Sequence, residues 1–194
     1  MRKRKPTQNT RQAIHIVGEG QTELFYFKHL KSIMGYKYFI SPRLFENNSI
    51  AKIEKKVEEL LREDVYVICV FDADVSRRSE AENQKLQRLN NKYSKNDNVL
   101  LCDSLQSIEY WFLLHFEDTC RHFNDAAATE RALKKYIPNY DKGRKFLENE
   151  KWVRDMTLDG RLETACERAE KYKEQESYSN LHQAITRLKG TSKN

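Results

Sequence analysis

The sequence predicts an α/β fold: a mostly parallel sheet of about four strands flanked by helices, followed by a helical C-terminal half. Three observations carry this expectation. Short apolar runs alternate with longer stretches in which apolar residues recur every three or four positions, from residue 13 to residue 102. One of those runs, VYVICVF at 65–71, is almost wholly apolar and rich in β-branched residues, as suits a central parallel strand. Beyond residue 108 helical spacing dominates, and with 6 Gly and 3 Pro in 194 residues the chain has few interruptions.

Taken in order, Ala13 to Val17 is a short apolar run ending at Gly18, and it reads as a buried strand. GEGQTE at 18–23 then makes a tight turn into a helix carrying Leu24, Phe27, Leu30 and Met34 on one face. Tyr38 to Phe45 contains Pro42 and suits an edge or bulged strand. Asn48 or Ser49 can cap a second helix whose apolar face is Ile50, Ile53, Val57, Leu60 and Leu61. The strand at 65–71 stops at Asp72-Ala73-Asp74. A polar helix over Glu80 to Tyr93 buries Leu86, Leu89 and Tyr93, and Val99 to Cys102 is another strand. Ile108 to Phe116 (IEYWFLLHF) is apolar nearly all round, so it predicts a helix buried on most sides. Further helices are expected over Ala128–Ile137, Arg161–Glu176 and Asn180–Leu188, with breaks at Pro138 and Gly143. The division that follows is a basic flexible arm (1–12), an α/β core (13–117) and a helical region packed on it (118–194).

Composition narrows the function. The 35 Lys and Arg against 29 Asp and Glu leave a net charge of +6, which permits phosphate-bearing partners. No run approaches the roughly 18 apolar residues of a membrane-spanning helix, and no apolar run of signal-peptide length follows the basic start, so a cytoplasmic protein with no membrane role is expected. Arg2, Lys3, Arg4, Lys5 and Arg11 form a cationic arm that is a solvated end or a nucleic-acid contact. Cys69, Cys102, Cys120 and Cys166 are widely spaced, form no CxxC pair and imply no disulfide framework.

The chemistry points to acids at strand ends. In open parallel sheets, ligands bind beyond the carboxyl ends of the strands. Glu19 follows the first strand, with Glu23 four residues on and on the same helical face; Asp72 and Asp74 follow the third and project to one side. Carboxylates brought together repel unless a proton or cation neutralises them, and oxygen-only ligands select Mg²⁺ or Mn²⁺. The plainer alternatives are a helix-dipole acid for Glu19 or Glu23 and a turn-forming Asp after a strand. A dinucleotide fingerprint fails because Glu23 stands where glycine is required, and a Walker A loop fails for want of G-K-[ST].

The arrangement of strand, Glu19-Gly20, helix and then strand, Asp72-x-Asp74 resembles the Toprim domain of topoisomerases, primases and OLD-type nucleases. VGEGQTELFYF, VFDAD and SIEYWFLLHF together are similar to the RloB family, Toprim-like proteins encoded near restriction systems and associated with phage defence. The resemblance implies a metal-dependent nuclease centre with Glu19 as acid/base or metal contact, Asp72 and Asp74 as ligands, and Glu23 as a second acid. It also implies an ATPase partner of the ABC/AAA kind. The pattern departs at Ser76, where many topoisomerase-type centres carry a further acid, so Glu23 or Glu109 would complete the ligand set.

Glu109, an acid inside an apolar helix and part of the family motif, reads as an outer ligand or orienting group, or else as a first-turn acid held by backbone N–H groups. Arg77 is the candidate cation for a scissile phosphate. His115 reads as a core histidine, and a zinc site of His115, Cys120 and His122 lacks a fourth ligand. RALKKYIPNYDKGR at 131–144 offers Tyr136 and Tyr140 either for stacking on single-stranded nucleic acid or for packing. The leading expectation is a Mg²⁺- or Mn²⁺-dependent nuclease acting on DNA or RNA, a homodimer being plausible. The alternatives are a non-catalytic scaffold that binds nucleic acid or the ATPase and, more weakly, primase-like nucleotidyl transfer.

Overall fold

The computed structural model describes residues 12–40, 50–74 and 79–191. The arm at 1–11, Pro42, the capping pair Asn48 and Ser49, and Ser76 with Arg77 lie outside the described residues. The fold is mixed α/β. Strands β1 (Ile14–Gly18), β2 (Phe39–Ile40), β3 (Tyr66–Asp72), β4 (Val99–Leu105) and β5 (Tyr178–Ser179) form one sheet in the order β2-β1-β3-β4-β5. The first four run parallel, and β5 pairs antiparallel to β4.

Side-chain alternation along each strand divides the core in two. Ile14, Ile16, Ile68 and Val70 face one layer, while Val17, Val67, Cys69 and Phe71 face the other. The second face is covered by α2 (Ile50–Leu61) and α3 (Glu80–Tyr93), with Ser79 capping α3 through Glu82 N at 3.1 Å. The first is covered by α1 (Gln21–Met34) and by all of the later helices. These are α4 (Ile108–Leu114), α5 (Ala126–Leu133), α6 (Arg144–Leu147), α7 (Lys151–Thr157), α8 (Arg161–Lys171) and α9 (Leu181–Lys189).

Every residue of α4 is buried, as its all-round apolar sequence predicts. Around it an aromatic cluster of Tyr26, Phe112, Tyr140 and Trp152 joins α1 to the C-terminal half. That half is thus continuous with the core under the sheet. Several bounds differ from expectation. β4 runs on to Leu105, α5 and α8 end at Leu133 and Lys171, and β5 is an additional strand. β5 is two residues long, too short to show alternation; it exists because Ser179 and Tyr178 pair with Ser104 and Leu105. Cys69 and Cys102 are buried, Cys120 is exposed and all four thiols are free. Among the described residues no helix is long and apolar enough to cross a membrane.

Candidate functional site

The strand order places a switch point between β1 and β3. The chain leaves β1 toward β2 on one side and leaves β3 toward β4 on the other, which is where a fold of this order is expected to form a crevice, at the carboxyl end of the sheet. The acids collect there. Glu19 N donates to Val70 O at 3.1 Å, prolonging the β1–β3 pairing by one residue, and the Glu19 side chain accepts Asp72 N at 2.8 Å. Glu19 is thereby held over the end of β3.

Gly20 caps α1, and Glu23 Oε2 turns back to accept Gly20 N at 2.9 Å. The glycine before Glu19 has a packing reason as well: a Cβ on Gly18 would lie 2.9 Å from Glu23 Cβ. Asp72 Oδ1 accepts Ile108 N at 2.9 Å, the start of α4. Glu109 follows at once, fully buried; its Oε1 accepts Tyr140 Oη–H at 2.6 Å and Lys142 Nζ at 2.9 Å, and its Oε2 is buried without a partner. The elements converge because β1, β3 and α4 each present an acid at or just beyond the end that faces this crevice.

The electrostatics record the crowding. Burial, then the charges of Glu19 and Glu109, push the Glu23 carboxyl up to about 7. Burial, then Glu23, Glu109 and Glu19, hold Asp72 well above the ordinary carboxylate range, with Lys142 acting the other way. Burial raises Glu19 too, opposed by its bond from the Asp72 amide. At Lys142 burial acts to lower the ammonium, but the carboxylates of Glu109 and Asp72 outweigh it and the group is raised.

The donor set suits a hard divalent ion. All four groups are carboxylates, one lysine stands against them, and Glu109 Oε2 is a buried oxygen with nothing to bind. Among the described residues, no three His, Cys, Asp or Glu side chains already stand as a ligand set. One oxygen each of Glu19, Glu23 and Asp72 is taken by a backbone N–H, which leaves the other oxygen of each.

Of the expected site residues, Glu19, Glu23, Asp72 and Glu109 are brought together. Asp74 is half-buried just past β3. Among the described residues, the cation against these acids is Lys142, which sequence reading did not assign to the site; Tyr140 was singled out, but not as a partner of Glu109. Both lie in the basic, tyrosine-bearing stretch 131–144 that the sequence offered for stacking or packing. Tyr140 is 1% exposed, so of the two readings of 131–144 packing holds for it, and stacking on nucleic acid does not. Tyr136 is exposed and stacks on Phe116, ring centroids 5.4 Å apart. His115 is a core histidine, its Nδ1 on Trp111 O at 2.9 Å and burial lowering it to about 4, and no zinc-type cluster forms among the described residues.

Fold and site together define a three-layer α/β protein with an acidic crevice at the switch point of its sheet. The family model described as RloB-like protein matches residues 14–190, and the chain belongs to that family. No curated protein and no solved structure matches the chain.

Proposed function

We propose that the crevice is a Toprim-type metal-dependent nuclease centre hydrolysing phosphodiester bonds of DNA or RNA. The observation that carries this is the convergence of Glu19, Glu23, Asp72 and Glu109, close enough for the charges of Glu19 and Glu109 to raise Glu23 and for those of Glu23, Glu109 and Glu19 to raise Asp72. Glu19, Asp72 and Glu109, with Glu23 and Asp74, are the residues to hold Mg²⁺ or Mn²⁺. When bound, such an ion lowers the pKa of a water and neutralises charge on a phosphodiester.

The chain's own groups supply the rest. Backbone amides fix Glu19 and Asp72, so neither swings out of the crevice. Glu23, with one oxygen on the Gly20 amide, has its other oxygen left for the ion. Lys142, part-exposed beside Glu109 and near Asp72, offers a cation to an incoming phosphate oxygen. The family resemblance supports a cytoplasmic role in phage defence beside an ABC/AAA ATPase.

The test is cleavage of plasmid, single-stranded DNA and tRNA with Mg²⁺ or Mn²⁺, wild type against Asp72→Asn. Losing even a group behind a metal ligand costs about ten- to a hundredfold, so the variant should lose at least about a hundredfold. Equal cleavage by the two proteins would sink the proposal. A second reading, the non-catalytic scaffold, draws on the backbone bonds that already occupy three carboxylates. Calorimetric titration with Mn²⁺ separates them: binding lost in Glu19→Gln supports the enzyme, and no binding above background supports the scaffold.

A further inference from the structure

A second polar feature lies on the C-terminal half. Between residues 121–124 and α5 is a cavity of about 290 Å³ lined by Arg121, His122, Phe123, Arg131 and Lys135, with no carboxylate among the described residues that line it. Arg131 stands in the last turn of α5, and Lys135 lies two residues past its end. The adjacent Lys134 is instead paired with Glu130 at 2.6 Å.

Among the described residues, Arg121, Arg131 and Lys135 have no carboxylate within 4.0 Å. Elsewhere on the C-terminal half, Lys171, Arg144, Lys151 and Arg154 all do. The Arg121 guanidinium is held over the Phe123 ring, 4.5 Å from its centroid, which fixes one cation in place. At the rim, His122 pairs with the exposed Glu176 at 3.2 Å. Glu117, whose side chain accepts Tyr136 Oη–H at 3.1 Å, is occupied elsewhere.

The cavity is tied to the acidic crevice by one short turn. Gln106 Nε2 donates to Phe123 O at 2.6 Å, and two residues on, Ile108 N donates to Asp72 Oδ1 at 2.9 Å. Two residues span at most about 7 Å, so the floor of the cavity and the acids keep a fixed relation. Tyr110, next to Glu109, also packs edge-on against Phe123, ring centroids 6.0 Å apart.

We propose that this cavity is a phosphate subsite for a nucleic-acid strand, gripping the backbone a few nucleotides from the bond that lies over Glu19 and Asp72. The assignment rests on the phosphodiester reading of the crevice and adds where the substrate is held. A polyanion is favoured over a small free anion because the donors are exposed side chains spread along a rim, not an enclosed cradle of backbone amides.

The test is fluorescence anisotropy of labelled single-stranded DNA and RNA oligonucleotides with the full chain in EDTA, across a salt series. The paired variant Arg131→Gln with Lys135→Gln should bind about tenfold more weakly. The slope of log affinity against log salt should fall by about 1.5, since each phosphate contact contributes roughly 0.7–0.9. Both side chains are exposed, and circular dichroism checks that the variant folds.

The control Lys55→Gln with Lys95→Gln removes the same charge from exposed positions elsewhere and should bind as wild type. An equal loss in the control would reduce the effect to net charge and overturn the subsite, as would wild-type binding by the Arg131/Lys135 variant. Titration with inorganic phosphate is the remaining arm. Micromolar binding abolished by the variant, with oligonucleotide affinity unchanged, would reassign the cavity to a free anion and overturn the proposal. Oligonucleotide binding is read in EDTA, where the crevice is idle, and metal-dependent cleavage is read separately, so failure of the crevice as a catalytic centre and failure of this subsite give different results.

Discussion

Glu23 is where burial and repulsion act most openly on one side chain. Its folded pKa of about 7 lies above the ordinary 4.5, so between those pH values the folded chain keeps a proton that the unfolded chain has released. Stability therefore falls as pH rises across that window and stays low above it. The shift corresponds to roughly 3 kcal/mol, or about 6–12 °C in midpoint for a chain of this size. Glu23→Gln keeps an oxygen for the Gly20 amide and removes the charge. In EDTA, thermal unfolding from pH 4.5 to 8 should show wild type losing several degrees more than the variant; parallel curves would refute the assignment. Glu19, Glu23 and Asp72 were legible in the sequence because a residue at a strand end or in a first helical turn has its direction set by the local chain. Lys142 had no such frame. Its direction depends on a loop folding back across α4, which no residue spacing encodes.

At the scale of elements, α4 and the loop at 138–143 act as a pair. α4 was legible from its unbroken apolar run, and its glutamate from the cost of placing a charge there. What answers that cost is supplied 31 residues later by Tyr140, whose hydroxyl reaches Glu109 while its ring packs on Phe112 and Trp152. Tyr140→Phe keeps the ring and deletes the hydrogen bond. A bond to a charged group contributes about 1.5–3 kcal/mol, so the variant should melt lower by several degrees. If Glu109 is a working part of the crevice, cleavage should also fall by about tenfold or more at a temperature where the variant is fully folded. A variant with unchanged stability and unchanged cleavage would remove Tyr140 from the site. The strands were legible for the same kind of reason as α4, through local pattern. β5 was not, since two residues carry no period and their pairing is decided by β4.

For the whole molecule, the question is whether the C-terminal half is an appendix or part of one core. The aromatic cluster and the sheet face belong to one continuous apolar body that includes Leu181, Ala184, Ile185 and Leu188 of α9, each fully buried. Polar ties run the same way. Tyr178 Oη and Asn180 Nδ2 both donate to Asp103 at 2.6 Å, and Ser179 Oγ meets Ser104 Oγ at 2.8 Å. Ending the chain at Glu176 would expose β4 as an unpaired edge and strip three large aliphatic side chains from the core. At about 1.5–3 kcal/mol each, those side chains alone contribute roughly 5–9 kcal/mol, comparable to the whole stability of a domain. The expected result is an insoluble or molten truncated chain, and for the full chain a single cooperative calorimetric transition. A truncated chain that is soluble, with native near-ultraviolet dichroism and a midpoint within a few degrees of the full chain, would show that the acidic crevice needs no support from β5 and α9. The carboxylates of the crevice would then have to be held by β1, β3 and α4 alone. The burial of all seven residues of α4 against helices on either side of it argues against that.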